Sequence, residues 1–339
     1  MPPSSILSAA LDAYRRSGAD LPFGDPIRPH GIAMEGYYWR FTDVGAGRVI
    51  VVLCGVCTPS AVARSGSLKP SWALVALASH PGGFVRHRIV PHVDLGERGA
   101  AVVAGSALNA SPDELRIDLG PDARLTARIA ERRRWPRQLF GGLGVAQSAP
   151  SLAQYWHPHL LGAQADGEAV LGGEPVLLEG ANVYAEKNWG RSFPARWWWG
   201  QAQGFDGHPS ICAAFAGGRI QLGQLSVAPT SVVVALPGRV LQLAPPLALT
   251  RTRVAPGFWH VQARSGGVRV ELEGEAHEAV ALPVPIVDER RAEMRSQQAL
   301  AGRMRLEVRQ RSRVLFRGES RLAGLEREVW DPLHRTSGA

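Results

Sequence analysis

The stretch "FWHVQARSGGVRVELEGEA", Phe258–Ala276, decides the fold. Trp259, Val261 and Ala263 alternate with polar residues, a Ser-Gly-Gly turn follows, and Val268, Val270 and Leu272 resume the alternation on the way back. A period of two puts alternate side chains on opposite faces of an extended chain, so this is a half-buried β-hairpin. The same reading holds for "RMRLEVRQRSRVLFRGES", Arg303–Ser320, with Met304, Leu306, Val308, Val314 and Phe316 as the apolar set. Between the two, "VDERRAEMRSQQALAG" (Val287–Gly302) has the caps of a helix, Asp288 at its start and Gly302 at its stop.

Towards the N-terminus, short apolar runs separated by Gly, Pro and Asp turns continue the strand pattern. They are "RVIVVLCGV", "SWALVALAS", "GFVRHRIV", "ELRIDLG" and "RLTARIAERR", between Arg48 and Arg133. Only the start, "PSSILSAALDAYRRSGAD", reads as helix, with Ser4 or Ser5 as cap, Leu7, Leu11 and Tyr14 on one face, and Gly18 as stop. Many short strands at this spacing predict a mostly antiparallel β protein built as barrels or sandwiches, a class that can enclose one small ligand. A Gly-rich piece, "FGGLGVAQSAP", suggests a division near Pro150. The expected plan is a helical appendage at 1–30, a first β domain at 31–150 and a second at 151–339.

The chain of 339 residues is 45% hydrophobic and 20% charged, a folded composition with room for two cores. No apolar run reaches the ~18 residues of a membrane-spanning helix and no signal-peptide order opens the chain. Cys54, Cys57 and Cys212 are too few for a disulfide scaffold. These features predict a cytoplasmic protein. The net charge of +8 comes almost wholly from Arg, since Lys stands only at positions 69 and 187. No nucleic-acid signature accompanies that charge, in "ERRRWPR" (Glu131–Arg137) or in the Arg-rich tract 290–321, so no nucleic-acid partner is expected. Attraction to anionic lipid headgroups is the more economical use of it, which makes peripheral membrane association the alternative to a purely cytoplasmic life.

Familiar chemical motifs are missing: no phosphate-binding Walker loop, no nucleophile elbow and no HExxH. "GGLGVAQ" lacks the third Gly of a dinucleotide fingerprint. "CGVC" (Cys54–Cys57) ends a strand instead of opening a helix and reads as buried cysteines. "WHPH" puts His157 and His159 on one strand face without an acidic or thiol partner at ligand spacing, so no metal or other cofactor is expected.

The densest chemistry lies in "YAEKNWGRSFPARWWWGQAQGFDG", Tyr184–Gly207, which holds four of the ten Trp and Lys187. In extended chain, Tyr184, Glu186 and Asn188 share one side and Lys187 and Trp189 the other; Trp197 and Trp199 share a face opposite Arg196 and Trp198. Either this is a Trp-rich core layer or an apolar pocket with a few polar groups aimed into it. The stretch closely resembles the signature of the tocopherol cyclase family, a Ser-Glu-Lys-Asn-Trp-Gly run followed by Phe-Pro, a basic residue and a Trp-aromatic-Trp triplet. "MEGYYWRF" (Met34–Phe41), Tyr155–Tyr184 and Phe258–Ala276 extend the resemblance, although the early cluster reads Gly-Tyr-Tyr-Trp where the plant members have Gly-Trp-Tyr-Phe.

The resemblance implies two lipocalin-like β domains, related to carotenoid hydratases, and closure of a prenylated benzoquinol to a chromanol without redox change. A trisubstituted alkene is a weak base, so the chemistry needs an acid kept protonated by burial beside a phenol that traps the cation. Glu186 is the first candidate for that acid, Glu35 the second and Asp206 a distant third. Aromatic faces stabilise a carbocation and exclude water. Trp189, Trp197 and Trp199 are expected to line the cavity with Tyr38 and Trp39, and Lys187, Asn188 or Arg196 to hold the quinol oxygens. The partner implied is a hydrophobic prenylated quinol or related lipid. The same pocket also suits a carrier of quinone, carotenoid or other prenyl lipid, or a hydratase that admits water as the nucleophile.

Overall fold

The computed structural model describes residues 3–24, 33–58, 71–95, 100–149, 152–191, 194, 196–222 and 225–328. It is mostly antiparallel β, in two curled half-barrel sheets, as the alternating runs predict. One helix, α1 (Pro3–Arg16), precedes them, and Gly18 (φ +77°) ends it in the left-handed region that glycine tolerates. The side chains of Ser4, Ser5 and Leu7 lie outside the described residues. Tyr14 is buried against Phe140 at 5.5 Å between ring centroids, in a cluster with Tyr155 and Trp189, so the helix is docked on the first sheet.

The first sheet contains β1 (Met34–Asp43), β2 (Arg48–Cys57), β3 (Trp72–His80), β4 (Phe84–Val90), β5 (Asp94–Leu95) and β6 (Val102–Ala104). It continues through β7 (Leu108–Ala110), β8 (Glu114–Asp118), β9 (Ala123–Ala130), β10 (Gln154–Leu160), β11 (Gln164–Leu171) and β12 (Glu174–Gly190). The second contains β13 (Arg196–Ala202), β14 (Cys212–Leu222), β15 (Leu225–Val227), β16 (Thr230–Leu236), β17 (Arg239–Leu243) and β18 (Leu249–Ala255). It ends with β19 (Phe258–Ser265), β20 (Val268–Glu275), β21 (Val280–Ile286), β22 (Arg291–Gln310) and β23 (Arg313–Glu328).

The sheets change over between Gly190 and Arg196, not at Pro150: β10, β11 and β12 pair into the first sheet. Gly190 makes the exit possible, because a Cβ there would stand 2.1 Å from the Ala153 carbonyl oxygen. The hairpin at 258–276 has the expected register, with Trp259 opposite Gly274, Val261 opposite Leu272 and Ala263 opposite Val270. In the second hairpin a bulge after Val308 turns Val314 outward, where it is exposed.

The helix expected over 287–302 is not formed. From Arg291 the chain is strand β22, paired with β21 and then β20 along one edge and with β23 along the other. Ala, Glu, Met, Arg and Gln favour helix only weakly, and hydrogen-bonding partners on both edges outweigh that preference. Bulges in β22 between Ala299 and Met304 further hide the period-two signal.

Each sheet wraps its own core. Tyr37, Trp39, Ile50, Val75, Leu125 and Val183 belong to the first, and Phe215, Val234, Val261, Leu272, Met304 and Leu325 to the second. A third apolar cluster joins the two: Tyr38, Val51, Trp156 and Tyr184 from the first sheet meet Trp199, Ala214, Val233 and Leu300 from the second. That layer positions the site.

Candidate active site

Strand β12 carries the signature and is paired on both edges, with β1 on one and β10 on the other. Register places Tyr38 opposite Glu186, Arg40 opposite Tyr184 and Gly36 opposite Asn188, so these side chains share the face turned to the second sheet. Gly36 is required for space: a Cβ there would sit 2.7 Å from Asn188 Oδ1. Asn188 itself accepts from Gln154 Nε2 at 3.1 Å.

Glu186 is 4% exposed. Its Oε2 accepts from Trp156 Nε1 at 2.7 Å, from Trp199 Nε1 of the second sheet at 2.9 Å, and from the Tyr184 hydroxyl. Among the described residues no group donates to Oε1. Burial pushes this carboxyl up to about 7; the Tyr184, Trp156 and Trp199 donors hold it back from rising further, and nearby Glu326 adds to the rise. Glu186 is therefore an acid poised near neutrality inside an aromatic wall. The Tyr38 ring meets Trp199 edge-on at 5.0 Å.

A second carboxyl stands on the facing sheet. Glu326, on β23, accepts from Trp197 Nε1 at 2.7 Å through Oε1 and from Gln298 Nε2 at 3.1 Å through Oε2. Burial raises its pKa, and the Trp197, Ser296 and Gln298 side chains oppose the rise. The Tyr38 hydroxyl reaches Gln298 Oε1 at 3.4 Å. Arg40 is fully buried and clamps the sheets together, with Nη2 donating to the carbonyls of Leu300 and Leu322, the latter at 2.7 Å. Those carbonyls belong to the bulged parts of β22 and β23, where ladder partners are lost. Burial lowers the Arg40 pKa and the neighbouring Tyr38 oxygen opposes that shift.

Of the residues singled out in the sequence, the structure brings together Glu186, Tyr38, Trp197 and Trp199, with Asn188 on the same face. Glu35, Lys187, Trp189 and Trp39 lie on the opposite face of their strands, because they occupy odd positions in the same register. There Lys187, fully buried, donates to the Gly24 carbonyl at 2.8 Å and lies 4.5 Å over the Trp189 ring. Trp189 stacks on Tyr155, and Trp39 packs on Phe23 and Tyr37. Burial raises the Tyr37 pKa well above its usual value, and Glu35 adds to the rise. Arg196 and Asp206 are exposed. His157 and His159 face Lys187 and are kept neutral, chiefly by burial and then by the Lys187 charge. Cys54, Cys57 and Cys212 are buried free thiols. Among the described residues no group of three potential ligands is placed to hold a metal ion.

Sequence reasoning missed Trp156, Arg40, Gln298 and Glu326 as site residues. Trp156 lies in "YWHPH" beside two histidines, Gln298 lies in the Arg-rich tract 290–321 that reads as a wet face, and Glu326 lies beyond that tract with no motif around it. Two open recesses of the surface lie elsewhere: one of about 410 Å³ by Glu273, Arg305 and Glu319, and another of about 690 Å³ by Arg124, Glu168 and Leu177. Neither has the buried acid or the aromatic wall, so the layer between the sheets is the better candidate.

Fold and site together define a β protein with a neutral carboxyl held by indoles between two curled sheets. Residues 143–328, more than half of the chain, match the tocopherol cyclase-like family, and the chain belongs to that family. It is similar to a protein of Oryza sativa subsp. japonica named "Probable tocopherol cyclase, chloroplastic", at 28% identity over 150 residues, 43% of this chain and 32% of the relative. It is likewise similar to the chloroplastic tocopherol cyclase of Zea mays, at 26% identity over the same shares. The matched stretch spans about a third of the length of these curated relatives. Among solved structures, kievitone hydratase from Nectria haematococca aligns with a TM-score of 0.48 and 10% identity over 92% of this chain and 91% of that one. No helix among the described residues is long and apolar enough to cross a membrane.

Proposed function

We propose that the protein closes a prenylated benzoquinol to a chromanol by protonating the prenyl alkene and trapping the cation with the ring hydroxyl. The observation that carries this reading is the asymmetry at Glu186: three donors crowd Oε2 while Oε1 is left bare, and burial raises the acid to about 7. In a neutral carboxyl the crowded oxygen is the carbonyl and the bare one carries the transferable proton. Trp199, Trp156 and Tyr38 supply aromatic faces for the tertiary cation, each worth up to about 2 kcal/mol where water is excluded. The same faces deny water to the cation, so the internal hydroxyl traps it.

The step is an isomerisation: one proton enters at carbon, one leaves the hydroxyl, and a carbon–oxygen bond forms. No cofactor is required. The lipophilic tail of the substrate and the +8 charge of the protein support contact with an anionic membrane surface.

The test is incubation of the protein with prenylated benzoquinols in heavy water, followed by mass spectrometry. An isomeric product with one carbon-bound deuterium supports the reading. A product heavier by one water assigns the protein as a hydratase, and tight binding without turnover assigns it as a carrier.

A further inference from the structure

We propose that Glu326 is the proton acceptor that partners Glu186, so that the site is an acid–base pair of carboxyls facing each other between the two sheets. This deepens the ring-closing reading and rests on it for the identity of the substrate.

Two independent observations converge. Trp197 and Trp199 are two residues apart on one strand face, a spacing of about 7 Å, and each gives its indole N–H to a different carboxyl, Trp197 to Glu326 and Trp199 to Glu186. The two acids are thus set side by side along β13. Their surroundings differ in kind: Glu186 has one crowded and one bare oxygen, whereas Glu326 receives a donor on each oxygen. The first pattern leaves one oxygen free to carry a transferable proton, and the second does not.

The proton count closes. Glu186 Oε1 gives its proton to the alkene carbon, where a C–H bond forms and the neighbouring carbon becomes a tertiary cation. The ring hydroxyl oxygen bonds to that carbon, and its O–H proton passes to the Glu326 carboxylate. One proton then leaves Glu326, which is only half-buried, and one returns to Glu186; no electrons are exchanged. The other titratable groups facing the pair are Tyr184 on the same strand as Glu186, Tyr38 from β1 and Cys212 from β14. Burial pushes all three upward, Cys212 to about 12, so none of them competes near neutrality.

The experiment has two arms on the full chain. In heavy water with a prenylated benzoquinol, Glu186→Gln is expected to place no deuterium on carbon. Glu326→Gln is expected to slow ring closure by about 100-fold or more while deuterium still enters the alkene carbon of recovered or isomerised substrate, and Glu326→Asp to restore part of the closure. In the second arm, which needs no substrate, infrared spectra near pH 6 are expected to show a protonated-carboxyl band that Glu186→Gln abolishes and Glu326→Gln retains. Ring closure at the native rate in Glu326→Gln, or a band lost in Glu326→Gln and kept in Glu186→Gln, overturns the pair. If the native protein places no deuterium in any quinol, the ring-closing reading fails and the infrared arm alone decides whether the carboxyls are paired as assigned.

Discussion

The indole N–H of Trp199, on the second sheet, donates to Glu186 Oε2 on the first at 2.9 Å. One bond therefore holds the sheets in register and sets the acidity of the carboxyl. Trp199→Phe keeps an aromatic ring and removes the donor. Loss of about 1–2 kcal/mol in urea unfolding is expected. Because the donor holds the carboxyl down, its pKa should move above about 7 and the alkaline limb of activity should shift to higher pH. An unshifted limb would sink the link between Trp199 and the acid.

Glu186 also makes stability depend on pH. Its folded pKa of about 7 stands above the ordinary 4.5, so the folded state binds the proton more tightly than the unfolded chain. The contribution of Glu186 is then greatest below about pH 4.5 and falls as pH rises to about 7, by roughly 3 kcal/mol in all. Glu186→Gln stays neutral throughout. It should be more stable than the native protein at pH 8 by about that amount, and nearly equal near pH 4.5. Unfolding at the two pH values measures this, and an equal gap at both would contradict it.

Arg40 ties β1 to the bulges of β22 and β23 through the Leu300 and Leu322 carbonyls. Arg40→Met leaves both acceptors buried without a donor, a cost of about 2–4 kcal/mol. Arg40→Lys should recover little of it, since the lysine side chain ends one bond short of Nη2, the single nitrogen that donates to both carbonyls. Chemical denaturation of the two variants distinguishes this from simple loss of charge, because a charge effect alone would be rescued by Lys.

Lys187 holds down the N-terminal segment through the Gly24 carbonyl. In Lys187→Met that bond is gone while most of the buried volume is kept. Faster protease cleavage within residues 3–24, with the sheets left intact, is the expected pattern. Cleavage at the native rate would show that Tyr14 and Phe23 suffice to dock the segment.

The neutral histidines predict acid sensitivity. Burial, helped by Lys187, pushes His159 down to about 3, well under its ordinary 6.5. The unfolded chain takes up that proton first, so stability is lost as pH falls from about 6.5 towards 3. His159→Gln should flatten this part of the pH–stability curve, as read by thermal unfolding at a series of pH values.

Much of this was legible in the residues themselves. Alternation at 258–276 and 303–320 fixed two hairpins, because a hydrophobic period of two admits one burial pattern. The same parity sorted Tyr184, Glu186 and Asn188 from Lys187 and Trp189. It failed at 287–302, where good helix formers sit in a bulged strand whose partners come from other parts of the chain.

The sequence by itself determined the β class and the strand faces, both of which depend on local periodicity. Only the tertiary structure decided which faces meet. It placed Trp156, Trp199 and Tyr184 on one oxygen of Glu186, left Glu35, Lys187, Trp189 and Trp39 on the far side of the first sheet, and drew Arg40 and Glu326 into the layer between the sheets. The reason is physical: acidity is set by burial and by donors that converge from distant segments, and a linear pattern shows which way a side chain points but not what stands opposite it.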